Sequence, residues 1–288
     1  MSPDTAVIIL NYNGERFIRA TIDSFLAQDR PVNIVIIDNN SKDASCEIIK
    51  KEYPQVELIE NDKNYPFGTA YNRVMTKRPE KYLLLANNDV TVEPDGVGKA
   101  EDLLKKNRDI AAVIFLEVQM DAPVKFPYDK DYMVKKRFGM DFGSHVHFES
   151  RKDPPQRAIF LWFGAGMIRS KVVKKVQFDK DLEWYFEDID LGWSVYNRLG
   201  MKSLVSPDCI VHHMGGVSTK KRFQEEERDR KNHRNSMLSF AKNATTAQLI
   251  RAYPEMMFHI VFRQKDRWEL IKQIKMKRRL ERNLPDKK

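Results

Sequence analysis

The amino-acid sequence predicts an α/β protein: a mostly parallel central sheet flanked by helices, then a basic helical extension at the C-terminus. Three observations carry this. Short apolar runs alternate with segments of helical spacing through the first 120 residues. Each early run ends in a cluster of Asn, Asp and Gly. Excess positive charge is confined to the last quarter of the chain.

The elements follow in order. Ala6–Leu10 is a buried-strand run, and Arg16–Gln28 has helical spacing through Phe17, Ile18, Ile22, Phe25 and Leu26. Asn33–Ile37 is a second strand, and Ala44–Tyr53 a helix with Ser41 or Asp43 as N-cap. Val56–Ile59, the Gly68–Thr76 helix and strand Tyr82–Ala86 continue the alternation, and a helix follows Pro94. Such alternation builds a parallel sheet covered on both faces. Residues 120–156, rich in Pro, Lys, Asp and aromatics, read as an irregular excursion. Strand-like Ala158–Phe163 then enters a turn at Gly164-Ala165-Gly166. A helix is expected over Glu187–Leu199, with two short strands near Ser203 and Ile210. The sequence divides into residues 1–218 and a basic extension, 219–288.

Composition excludes several classes. The chain has 288 residues, 42% hydrophobic and 32% charged, which is ordinary for a globular protein and too apolar for intrinsic disorder. The longest apolar run, Ile110–Val118, is interrupted by Glu117 and too short to span a bilayer. Met1-Ser2-Pro3-Asp4 runs directly into a strand without the regions of a signal peptide, and two cysteines cannot form a disulfide framework. A cytoplasmic location is expected. The net charge of +9 resolves into −2 over residues 1–218 and +11 from Thr219 onward.

Ligands of open parallel sheets bind beyond the carboxyl ends of the strands. Those ends here are Asn11-Tyr12-Asn13-Gly14, Asp38-Asn39-Asn40-Ser41 and Asn87-Asn88-Asp89. Such residues also simply make turns, but three matching loops on one rim favour a ligand with hydroxyls and phosphates. Asp89 suits a hard divalent cation or a helix cap. His212 and His213, adjacent on a strand, point to opposite faces, so one at most reaches a given site. Glu187-Asp188-Ile189-Asp190 follows the aromatic run Trp184-Tyr185-Phe186. Its carboxylates either complement a helix dipole or, desolvated, serve as a general base. No Walker A sequence is present, and Gly164-x-Gly166 lacks its third glycine, so a nucleotide-triphosphatase or dinucleotide-dependent dehydrogenase fits poorly.

Taken in order, these motifs resemble the family 2 glycosyltransferases, which have the GT-A fold, and especially their rhamnosyltransferase-like branch. The matching pieces are residues 7–14, Ile37-Asp38-Asn39-Asn40-Ser41, residues 64–72, Asn87-Asn88-Asp89-Val90, residues 163–169, residues 186–193, residues 213–218 and Arg234-Asn235. The resemblance implies that Asn11, Tyr12, Asn13, Asp38, Asn40, Asn64, Asn72, Asn88 and Asp89 bind a nucleotide-diphosphate sugar. It places a divalent metal, Mg²⁺ or Mn²⁺, on Asp89 and His213, and acceptor or phosphate contacts at Gly164, Gly166 and Arg234. Asp188, with Glu187 beside it, would be the catalytic base of an inverting transfer to a glycan or polyprenyl-diphosphate-linked acceptor. Two departures stand out: Asn87 replaces the first acid of the Asp-x-Asp pattern, and Pro66 stands where glycine is usual. The Gln-x-x-Arg-Trp motif of processive synthases is absent, which implies addition of a single sugar. The alternative is a non-catalytic sugar-nucleotide-binding or assembly subunit.

In residues 256–284, Met257, Ile260, Val261, Trp268, Ile271 and Ile274 fall along one helical face, with lysines and arginines on the remainder. A single helix lying on an anionic membrane at the inner face of the cell membrane is expected, against a helix packed on its own domain. The extension lacks interleaved stacking aromatics and nucleic-acid motifs, so no nucleic-acid partner is expected.

Overall fold

The structure is a computed structural model that describes residues 2–120, 123–131, 145–159, 164–214, 225–263 and 267–282. Its strands are β1 (Thr5–Asn11), β2 (Val32–Asp38), β3 (Glu57–Glu60), β4 (Tyr82–Asn87), β5 (Val90–Val92), β6 (Ile110–Gln119), β7 (Tyr128–Asp131), β8 (His145–Phe148), β9 (Gln156–Ala158), β10 (Ala165–Arg169) and β11 (Lys202–His213). Its helices are α1 (Ile18–Leu26), α2 (Ser45–Glu52), α3 (Phe67–Met75), α4 (Gly96–Lys106), α5 (Ser170–Val173), α6 (Glu187–Leu199), α7 (Glu225–Asn243), α8 (Thr246–Arg263) and α9 (Arg267–Arg282).

The main sheet runs β3-β2-β1-β4-β10-β6-β11-β5, with β9 also paired to β11. β3, β2, β1 and β4 are mutually parallel, as are β6 and β11. β10, β5 and β9 run antiparallel to their neighbours. The mostly parallel sheet is thus as expected. Alternate residues of each central strand feed opposite cores, which is why the strands read as unbroken apolar runs. Ala6, Ile8, Leu83 and Leu85 join α3 and α6 on one face. Val7, Ile9, Leu84 and Ala86 join α1, α2 and α4 on the other.

Several expectations need correction. Ser203 and Ile210 belong to one strand, β11, whose pairing with β6 slips between Ser206 and Ile210; Pro207, which has no N–H to give the ladder, stands in the slip. The excursion at 120–156 holds a two-stranded sheet, β7-β8, whose Val146 and Phe148 are buried in the main core. Ala165 and Gly166 are not a turn: they pair with Ala86 and Leu85 within the sheet. The strand expected over 158–163 is observed as Gln156–Ala158, and 160–163 lie outside the described residues, as do Gly215 and Gly216. The single helix expected over 256–284 is two, α8 and α9, and most of its expected outward face points inward. Ile260 is buried, and Met257, Ile271 and Ile274 pack against a cluster that includes Phe186 and Trp193 beside α6. No described helix is long and apolar enough to cross a membrane.

Candidate active site

The rim of the parallel strands is built by side chains that bind one another. Asn11 is fully buried at the end of β1, and its Nδ2 donates to Asp38 Oδ1 at 2.8 Å and Ser45 Oγ at 3.0 Å. Its Oδ1 accepts from Asn88 Nδ2 at 2.8 Å. Any side chain at Gly14 would collide with both atoms of that last bond, which fixes the glycine. Asp38 accepts from Ser41 N and Oγ at 2.9 and 2.5 Å. Asn13 and Asn40 adopt positive φ, 52° and 65°, conformations that Asn tolerates well. Asn13 Oδ1 accepts from Lys42 N, and Asn40 Nδ2 donates to Asp62 O.

Asn11 is therefore a strut whose amide is engaged on both sides within the rim, and Asn88 braces it through Nδ2. Asn72 is another strut: its amide brackets the backbone of Phe178, donating to the carbonyl and accepting from the N–H at 2.9 and 3.1 Å. Asn64 differs. Its Oδ1 accepts from Asn39, while its buried Nδ2 has no partner, which leaves a donor for a ligand. Tyr12 stands half-buried on the same rim.

Asn88-Asp89 forms the turn between β4 and β5, and β11 ends beside it, with Met214 N donating to Asp89 O at 2.9 Å. His213 bridges two carboxylates: Nε2 lies 3.0 Å from Asp89 Oδ1 and Nδ1 3.2 Å from Glu117 Oε1. Burial works against a charged imidazole, but the two carboxylates outweigh it and push His213 up to about 10. His212 points elsewhere, 3.6 Å from Glu93, as strand alternation requires.

The Asp89–His213 pair fits a divalent metal. Asp89 Oδ1 and His213 Nε2 are hydrogen-bonded at 3.0 Å in the protein. Neighbouring ligand atoms on an octahedral ion with bonds of about 2.1 Å stand about as far apart, so a cation would take the place of the Nε2 proton. Glu117, holding the other ring nitrogen, is the usual orienting partner of a ligating histidine. Among the described residues no group of three or more His, Cys, Asp or Glu is placed to hold an ion. On an ion held by this pair the remaining positions would be open to phosphate oxygens and water, which Mg²⁺ readily keeps.

The second cluster opens α6. Tyr185 and Phe186 both have φ near 70°, a left-handed pair without glycine, costing on the order of 1–2 kcal/mol each. Asn235 of α7, 2% exposed, holds this turn by donating to Trp184 O at 2.7 Å and Tyr185 O at 2.8 Å. The turn delivers Glu187 and Asp188. Burial pushes Glu187 up to about 8, the Asp188 charge adding to it, and burial pushes Asp188 up to about 6. Glu187 Oε2 is buried and unpartnered, and Asp188 Oδ1 accepts from Ile189 N at 2.7 Å. Of the two readings open for this acidic run, desolvation governs Glu187 and Asp188.

Asp190, the third acid, is structural. It is fully buried and pairs with Lys242 of α7, and Asn243 donates to it at 2.8 Å. Lys242 also meets Asp179 at 3.2 Å, and Lys277 of α9 meets Asp179 and Asp181 at 2.6 and 2.7 Å. Burial opposes ionisation of Asp179, yet the two ammonium groups hold it down at about 2.

Three expected site residues meet the clusters only through their supports, Arg234 by donating to Asn235 Oδ1 at 3.0 Å. Gly166 is inside the sheet between Leu85 and Ile114, and Gly164 O accepts from Asn87 N beside the rim. Arg234 ties α7 to Gln273 of α9 at 2.8 Å and caps Asp181 O. The sequence reading missed Glu117 and the Lys242–Lys277 pair, and named Asn235 only within the Arg234-Asn235 motif, without a role. A lone acid two residues from the end of an otherwise buried strand was the available sign for Glu117.

Comparison with known proteins bears on these clusters. The model for glycosyl transferase family 2 matches residues 6–176, more than half of the chain. The chain belongs to glycosyl transferase family 2. It is similar to the N-acetylglucosaminyl-diphospho-decaprenol L-rhamnosyltransferase of Mycobacterium tuberculosis, 25% identical over 237 residues that span 74% of this chain and 76% of the relative. An uncharacterised glycosyltransferase of Methanocaldococcus jannaschii is 24% identical over 62% of this chain and 60% of its own. Among solved structures, S. aureus TarS with UDP-GlcNAc superposes at a TM-score of 0.60, with 15% identity, over 94% of this chain and 76% of TarS. A Pyrobaculum calidifontis mannosyltransferase with GDP-Man and Mn²⁺ superposes at 0.58, with 14% identity, over 96% of this chain and 74% of its own. The fold is GT-A, and this family 2 member is a rhamnosyltransferase-like glycosyltransferase.

Proposed function

We propose that the protein transfers one sugar, with inversion, from a nucleotide-diphosphate sugar to a hydroxyl of a glycan or polyprenyl-diphosphate-linked acceptor in cell-envelope polysaccharide synthesis. Asp188 is the general base. The observation that carries this is the half-buried Glu187–Asp188 pair, held above the usual carboxylate range on a strained turn. A base whose pKa lies near 6 is mostly ionised at neutral pH yet still basic enough to take a hydroxyl proton.

In the reaction Asp188 takes the acceptor hydroxyl proton as its oxygen bonds to the anomeric carbon. The bond from that carbon to the diphosphate oxygen breaks on the opposite side, and its electron pair leaves with the nucleoside diphosphate. Asp89 and His213 are the residues that would hold a divalent cation, and such an ion supplies charge neutralisation to the leaving diphosphate. Glu117 keeps His213 oriented. Asn64 Nδ2 offers a free donor at the rim for the nucleotide. Asn13, Asp38 and Asn40, with Tyr12, shape the pocket wall, while Asn11, Asn72 and Asn88 fix its geometry from behind. We place the transferase site in residues 1–218 and its support under α6 in residues 219–288. The relative's printed name, a transferase acting on a diphospho-decaprenol, supports the lipid-linked acceptor. The two cysteines, both free, suit the cytoplasmic side of the membrane.

Nucleotide sugars screened with Mg²⁺ or Mn²⁺ by thermal shift identify the donor, because ligand binding to the native state raises Tm. With that donor, Asp188→Asn is expected to abolish turnover and keep the shift. Retained turnover overturns the assignment of Asp188.

A further inference from the structure

Helix α8 carries two apolar faces, and the packed protein uses one. At 100° per residue, Ala252, Met256 and Ile260 share a side that is buried against α6 and α7. Ile250, Phe258 and Phe262 lie on a different side and are 71, 53 and 73% exposed, while Tyr253, 61% exposed, flanks the buried side next to Ile260. Pro254 and Val261 are exposed on the same side, and Arg251, also exposed, adds a positive charge between Phe258 and Phe262. Phe258 and Phe262 stack with ring centroids 5.0 Å apart, making a ridge. Ile250, Phe258 and Phe262, joined by Pro254 and Val261, form a contiguous patch, unlike the scattered apolar residues of ordinary surfaces.

The next helix shows what such a patch meets. The outward face of α9 starts with Trp268, 74% exposed, and continues through Lys272, Lys275 and Arg279, all exposed. An apolar aromatic ridge followed by a cationic face with a tryptophan at its head is the pattern of a helix pair lying in a lipid interface. The charge argues against a second copy, because a symmetric contact would bring two cationic faces together, whereas an anionic leaflet is complementary to one.

We propose that the exposed stripe of α8, Ile250, Pro254, Phe258, Val261 and Phe262, with Trp268, is the surface by which the protein seats in an anionic lipid leaflet. This face differs from the one expected from sequence, whose Ile260, Ile271 and Ile274 serve the interior. The proposal deepens the lipid-linked-acceptor reading, and seating would bring the enzyme to an acceptor confined to the same leaflet.

Flotation of the full-length protein with vesicles tests it. Wild type is expected to float with phosphatidylcholine–phosphatidylglycerol vesicles and much less with phosphatidylcholine alone. The triple variant I250S/F258S/F262S is expected to lose about tenfold or more in partition to the anionic vesicles. K272E/K275E/R279E is expected to abolish the preference for anionic lipid and its salt sensitivity. These positions are exposed, so Tm and the nucleotide-sugar thermal shift should be unchanged in both variants. Failure of wild type to float, or equal flotation of the serine variant, overturns the proposal. So does a dimer that the serine variant dissociates, or binding to single-stranded RNA in preference to vesicles. Loss of the nucleotide-sugar shift in wild type would count against the transferase reading instead, leaving the flotation result to stand by itself.

Discussion

Lowering the pH asks the most of the candidate base. With Asp188 at about 6, its ionised fraction is about nine tenths at pH 7 and about one tenth at pH 5. An ordinary aspartate, near 3.9, would stay about nine tenths ionised across the same interval. The structure therefore predicts a fall in kcat/KM of about tenfold between pH 7 and pH 5, against almost none for an exposed base. The assay is release of nucleoside diphosphate at subsaturating acceptor and constant ionic strength, with circular dichroism confirming the fold at each pH. Glu187 provides an internal control. Its value near 8 keeps it protonated at neutrality, and its ionisation at higher pH sets a second negative charge beside Asp188. An alkaline limb near 8 is expected, and Glu187→Gln should remove it while leaving the acid limb in place. An acid limb below about pH 4.5 would refute the assignment of Asp188 as a desolvated base.

Other perturbations follow from the same contacts. Asn235→Ala removes two hydrogen bonds to the left-handed turn; a stability loss of about 1–3 kcal/mol in urea titration and a larger fall in kcat than in donor affinity are expected. Wild-type kcat in that variant would show that the turn holds itself. Asp179→Ala removes the acid shared by Lys242 and Lys277, 8 and 9% exposed, each of which keeps one other carboxylate, Asp190 or Asp181; a loss of about 1–3 kcal/mol is expected in the same titration. The folded protein binds protons on Glu187 and Asp188 more tightly than the unfolded chain, so stability should fall as pH rises from about 4 to about 8. Glu187→Gln should flatten that slope, measured as Tm against pH. Asp89→Asn and His213→Ala should each remove Mn²⁺-dependent stabilisation by the nucleoside diphosphate in thermal shift.

How much of this was legible in sequence depended on what each residue packs against. β1, β2 and β4 were readable because strands buried on both faces leave uninterrupted apolar runs. The bounds of α6 were readable because a charged first turn and Gly200, at φ 66°, punctuate it. β5, three residues long, and the slip in β11 had no such signature. At the site, the strand-end rule located the rim but could not show which of its amides bind one another. Asn11, Asn72 and Asn88 have the same chemistry as Asn64, and only packing distinguishes a strut from an open donor. Asn235 and Glu117 act across 50 and 96 residues of separation, a distance no local pattern encodes.

The basic extension has two distinct electrostatic roles. Lys242 and Lys277 turn inward, where they neutralise Asp179, Asp181 and Asp190 beneath α6. Without them the helix that presents Asp188 would rest on buried, uncompensated carboxylates. Lys272, Lys275 and Arg279 are exposed on the outer face, where Lys272 meets the exposed Glu269, at 3.9 Å, and their charge is open to a partner. The two groups should separate experimentally. Replacing Lys277 by methionine should lower stability and kcat together, with flotation on anionic vesicles intact. Reversing the three outward charges should abolish the vesicle preference while leaving stability and turnover of a detergent-dispersed acceptor unchanged. If both sets altered both readouts alike, the extension would be acting through net charge, and the division between internal support and external seating would fail.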